Sequence, residues 1–127
     1  MKQNTASLLL RLTFGVTMLL SHGMPKLLNF SSQMNNFPDP LGLGSSLSLG
    51  LIIFAEVVCA ALITLGLFTR FAAVPLTMAM VVAVFIFHAG DPWNKMELGL
   101  MYALGYICIF LLGPGRFSLD YILRKKV

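Results

Sequence analysis

Charged side chains are what this sequence has least of. Only 11% of its 127 residues are Asp, Glu, Lys or Arg, and just 5 are acidic. An ordinary soluble domain carries about 25% charged residues, and a chain this short leaves much of its folded surface in water. With 57% hydrophobic residues and a mean hydropathy of +0.84, no aqueous surface can be assembled, which excludes a soluble globular domain. The net charge is +4, yet the cations are too few and too dispersed for a nucleic-acid footprint, so no nucleic-acid partner is expected. Cysteine is scarce too. Cys59 and Cys108 lie inside apolar runs, which excludes a disulfide framework. They fall at comparable depth in two spans, but free cysteine more often packs as a small apolar residue. No H-x-x-H or C-x-x-C spacing, haem-attachment C-x-x-C-H or G-x-G-x-x-G occurs, and no metal site is expected. The methionines are scattered and read as gap-fillers between helices.

What is present is long apolar runs. A helix needs roughly 20 such residues to cross the hydrocarbon, and four stretches qualify: residues 7–28, 47–68, 71–88 and 92–112. The expected fold is therefore all-α, a single-domain integral membrane four-helix bundle, with a tail over 113–127. Arg11 interrupts the first run and no A-x-A site follows, so it reads as a retained helix and not as a signal peptide. Gly66 to Arg70 reads as a tight turn. Asp91-Pro92 reads as an N-cap with proline at the first helical position, and Gly113-Pro114-Gly115 as a stop. Pro75 falls in the opening turns of the third span, where it costs little. Ala79/Ala83 and Gly99/Ala103 have the small-xxx-small spacing that permits close helix approach.

Cation placement sets the expected orientation. Lys2, Arg70, Arg116, Arg124, Lys125 and Lys126 fall on the side that holds both ends, against Lys26 and Lys95 on the other. Both termini are expected in the cytoplasm and residues 29–46 on the outer side. The FPDPLGLG half of that connection is expected to fold over the bundle mouth as an interfacial cap, with a flexible tether as the alternative. Trp93 stands where an interfacial anchor belongs.

Ionisable groups within the spans are the candidate functional residues, because each costs roughly 2.5–3.5 kcal/mol at a helix centre. Glu56 lies near the middle of the second span. It must be protonated or paired with a cation, and it is either a proton-exchanging carboxylate or a structural strut. Arg11 can snorkel to the headgroups or reach inward to a direct or water-bridged pair with Glu56, which is the favoured arrangement. His22 and Lys26 share one face of the first span. With His88, Lys95 and Glu97 they fall toward the outer side, where converging faces would form a polar mouth above Glu56.

Three segments carry a family resemblance: LLLRLTFGVTMLLSHGMPKL (8–27), AEVVCAALITLGLFTRFAA (55–73) and MELGLMYALGYICIFLLGPGRFSLD (96–120). Their motifs R-x3-G with H-G-x2-K, E-x9-G-x3-R, and E-x15-G-P-G-R-x-S-x-D are loose singly, but their order and four-span setting are specific. The chain resembles the DoxX family, also called DoxD-like or terminal quinol oxidase subunit-like. The resemblance implies a bacterial inner-membrane protein and marks Arg11, Gly15, His22, Gly23, Lys26, Glu56, Gly66, Arg70, Glu97 and Asp120 as motif positions. It also implies a link to membrane redox chemistry, which in this chain would need a bound quinone or an oxidoreductase partner. Three functions compete. The first is a subunit for quinone-linked redox chemistry, with Glu56 as proton partner and Arg11, His22 or Lys26 polarising the quinone carbonyls. The second is a small-solute transporter or channel, which four short spans could form only as a homo-oligomer. The third is a scaffold whose basic tail docks a soluble enzyme and attracts anionic lipid.

Overall fold

The computed structural model describes residues 2–126, with side chains described through Arg124. Lys125 and Lys126, counted among the tail's cations, therefore have side chains outside the described residues. Four long helices dominate: α1 Lys2–Leu28, α3 Ser45–Leu65, α4 Thr69–Phe87 and α5 Trp93–Leu112. Two short ones complete the set, α2 Phe30–Gln33 and α6 Leu119–Lys126. Each long helix is long and apolar enough to cross a membrane. Among the described residues there is no strand.

The bundle is a four-cornered ring in which α1 packs on α3 and α5, and α4 packs on α3 and α5. Its core is built from small and thin residues, among them Ala55, Cys59, Ala60, Ala72, Ala73 and Ala103, filled out by Met18, Leu76 and Tyr106. Small side chains let backbones approach, which is how helices gain contact energy in lipid. A Cβ added to Gly99 would lie 2.8 Å from a Val84 methyl, so α4 and α5 approach closely at that glycine. The outward faces carry Leu20, Leu28, Phe71, Phe85, Leu111 and other large apolar residues. A hydrophobic exterior of this extent is stable only against lipid. The chain is a membrane protein.

Helix limits differ from the sequence reading where tertiary contacts decide them. α3 ends at Leu65 because Gly66 turns left-handed, with φ 74°. α4 begins at Thr69, since Asp120 accepts hydrogen bonds from the Phe68 and Thr69 amides at 2.8 and 3.0 Å. That early start leaves Pro75 inside the helix and not in its opening turns. Asp91 does not cap α5. Pro92 takes that position, and the Asp91 carboxylate lies 3.0 Å from His88 Nδ1.

Both ends of the chain meet at one end of the ring, here called the tail end. Ser7 donates to the Gly113 carbonyl at 2.7 Å and Asn4 accepts from the Arg116 amide at 3.1 Å. The connection between α1 and α3 lies at the opposite, loop end.

Candidate functional site

At the loop end α1, α3, α4, α5 and the α1–α3 connection enclose a cavity of about 630 Å³. Its wall is mostly apolar. Its polar groups are His22 and Lys26 from α1, Ser48 and Glu56 from α3, His88 just past α4, and Lys95 and Tyr102 from α5.

The centre of the site is an ion pair. Lys26 Nζ donates to Glu56 Oε1 at 2.7 Å and, more weakly, to the His22 carbonyl at 3.3 Å. The lysine side chain is 23% exposed and the glutamate 5%. Gly23 makes this approach possible, because a Cβ there would come within 2.5 Å of the Glu56 carbonyl oxygen. α1 therefore presses its backbone against α3 at the carboxylate, and Lys26, nearly one turn further on, reaches across. Both contact segments, Leu19–Gly23 and Phe54–Cys59, have the wider π-type turn, which often marks functional sites. Beside the pair, the His22 ring meets Tyr102 edge-on at 5.5 Å, and Tyr102 stacks on Tyr106 at 6.0 Å. The Tyr106 hydroxyl donates to the Phe14 carbonyl at 3.1 Å.

The connection lies over the cavity as a cap. Phe37, Pro38, Pro40, Leu41 and Leu43 all face the cavity. The Asp39 carboxylate holds the cap's shape by accepting from Leu43 N at 2.8 Å, Gly44 N at 2.7 Å and Ser48 Oγ at 2.7 Å. The Ser48 hydroxyl, then the backbone amides, keep its pKa below the ordinary carboxylate range.

Of the expected polar mouth, the structure brings together His22, Lys26, Glu56, His88 and Lys95. Glu97 is exposed in the opening turns of α5 and is not among the lining residues. Arg11 and Glu56 do not meet. Arg11 is 1% exposed at the tail end, where it neither snorkels nor reaches the cavity. Its Nη1 donates to the Ile63 and Thr64 carbonyls at 3.4 and 3.1 Å, and its Nη2 donates to the Phe117 carbonyl. The last carbonyls of α3 have no partner within the helix, and a cation there also suits the helix dipole. Asp120 does the converse for the first amides of α4, so the turn between α3 and α4 is held by a cation on one side and an anion on the other. Arg70 Nε donates to the Phe110 carbonyl near the end of α5 at 2.9 Å. Sequence reasoning missed Tyr102. Its signal was the Tyr102/Tyr106 spacing of four, which puts two phenols on one face of a span that otherwise holds few polar groups.

Among known proteins, the family model described as DoxX matches residues 6–89. An uncharacterized membrane protein of Mycobacterium tuberculosis is 34% identical, over 92% of this chain and 80% of its own length. An uncharacterized protein of Haemophilus influenzae is also 34% identical, over 86% of this chain and 84% of its own. A second Haemophilus influenzae protein is 29% identical, over 76% of this chain and 67% of its own. No solved structure matches. The match spans the ion pair, the cap and α4, and on that ground the chain belongs to the DoxX family.

Proposed function

We propose that this protein is a bacterial inner-membrane subunit for quinone-linked redox chemistry, with the loop-end cavity as the quinone site and both termini in the cytoplasm. The observation that carries the reading is the Lys26–Glu56 pair placed in an otherwise apolar cavity. Such pockets, mostly apolar with a few placed polar groups, are the usual form of a small-molecule site. The residues suit a quinone ring. Apolar walls take its faces. The Lys26 ammonium has three donors, of which Glu56 and the His22 carbonyl occupy two, and the third can meet a ring carbonyl. A bound quinone supplies the electron-accepting chemistry, with two electrons delivered by a partner oxidoreductase and two protons taken up. Glu56, paired with Lys26 beside the ring, is the group placed to relay protons from water to the ring oxygens as the quinone is reduced.

Orientation rests on the cations. Arg11 is consumed inside the bundle, but the tail end still holds Lys2, Arg70, Arg116 and Arg124, whereas the loop end has Lys95 and Lys26, the latter paired with Glu56. The excess fits a cytoplasmic tail end.

The test is purification from membranes, lipid extraction and titration of the delipidated protein with quinone. Copurified quinone, with saturable rebinding that Glu56→Gln weakens at unchanged helix content, is the expected result. No copurified quinone together with no rebinding overturns the proposal.

A further inference from the structure

The cavity has a side as well as a mouth. α3 and α4 leave the tail-end turn together, and Phe54–Cys59 packs on Thr69–Val82. Beyond that level Ser45–Ile53 packs on Met24–Leu28 of α1, whereas Ala83–Phe87 packs on α5. The two helices part toward the loop end. Leu51 and Phe54 from α3 and Met78 from α4 line the cavity while being 50%, 45% and 62% exposed. They belong at once to the cavity wall and to the lipid-facing exterior.

We infer that the ligand of this site is a bilayer-dissolved amphiphile with a long apolar tail, which reaches the Lys26–Glu56 pair sideways, between α3 and α4. The inference deepens the quinone reading and rests on it, since it assigns the class of quinone to one with an isoprenoid tail. Two features select that occupant over a water-borne solute. The apolar cap residues Phe37, Pro38, Pro40 and Leu41 stand over the loop end of the cavity, so much of its covering there is itself apolar. The α3–α4 side, meanwhile, continues into the lipid-facing surface through Leu51, Phe54 and Met78, as hydrocarbon does. Ala79 and Ala83 line this side of α4 with the least possible side chain, which leaves room for a tail to lie along the gap.

The experiment titrates the purified chain in nanodiscs with three probes: a benzoquinone with an isoprenoid tail, the same ring without a tail, and an unbranched fatty acid. Affinities are corrected for partitioning into empty nanodiscs. The tailed quinone is expected to bind at least about tenfold more tightly than the tailless ring, and Ala83→Phe is expected to lower the tailed affinity far more than the tailless one. Equal affinities for both quinones overturn the sideways-tail inference and leave the quinone site standing. Binding of the fatty acid alone overturns the quinone reading and retains the portal. Binding of none overturns both. Should Ala83→Phe fail to fold, a tailed quinone carrying a photoreactive group at its tail end gives the answer on the unaltered protein. Labelling mapped to the peptides around Leu51–Phe54 and 75–82 supports the inference, and labelling confined to α1 or the cap overturns it.

Discussion

At the scale of residues, two buried cations solve one problem in different ways. Lys26 meets a carboxylate and stays partly open to the cavity; Arg11 meets backbone carbonyls and is closed off. Removing one member of the first pair strands the other in low dielectric. Lys26→Met is expected to destabilise by about 1–3 kcal/mol, less than for a fully buried pair because lysine keeps some solvation. The double variant Lys26→Met/Glu56→Leu should recover most of that loss and still fail to bind quinone. A double-mutant cycle followed by thermal unfolding in detergent measures the coupling, and a strictly additive result would show that the pair is not coupled. Arg11→Lys keeps the charge but cannot reach three carbonyls with a rigid fork. It should cost about 2–4 kcal/mol and leave quinone affinity unchanged in the fraction that folds. Sequence alone marked Glu56 as protonated or paired with a cation, and it favoured Arg11 over Lys26 as that cation. Depth along a helix axis allowed an Arg11–Glu56 pair, and the rotation of α1 about its axis, set by Gly15 against Thr64 and Gly23 against Glu56, decided against it.

At the scale of elements, the spans were legible because an apolar run of bilayer length is seldom anything but a membrane-crossing helix. Their limits were not legible, because they depend on residues distant in sequence, as Asp120 at the start of α4 shows. Gly23 carries the α1–α3 contact. Gly23→Ala should push the helices apart against the Glu56 backbone, cost about 1–3 kcal/mol and lengthen the Lys26–Glu56 distance, which crosslinking of cysteines placed on the two outer faces would detect. The cap answers to pH through Asp39. Its folded pKa lies below its unfolded one, so its contribution is complete above the unfolded value and is lost as pH falls through the folded value. Hydrogen exchange at the Leu43 and Gly44 amides should therefore show protection, relative to intrinsic rates, that declines below about pH 4. Asp39→Asn should show the loosened pattern already at neutral pH. A cap equally protected in both proteins would mean that apolar contacts, not Asp39, hold it.

At the scale of the whole molecule, the positions marked by the resemblance divide by depth, Glu97 apart, which is exposed and serves neither end. Gly15, Arg11, Gly66, Arg70 and Asp120 serve the tail end, while His22, Gly23, Lys26 and Glu56 serve the cavity. The sequence shows these positions as one series, and only the fold separates structure from site. A cytosolic reporter such as green fluorescent protein fused to the C-terminus should fluoresce, and alkaline phosphatase inserted near Asn35 should be active only if that loop faces outward. The reverse pattern would invert the proposed orientation. The tail-end contacts also impose an order on synthesis. Arg11 enters the membrane with α1, but one of its acceptors, the Phe117 carbonyl, is made only after α3, α4 and α5. A chain cut short before Phe117 leaves a guanidinium short of an acceptor in the hydrocarbon and the start of α4 uncapped. Products cut short there thus carry a defect at α1, which membrane quality control can recognise without inspecting the missing end.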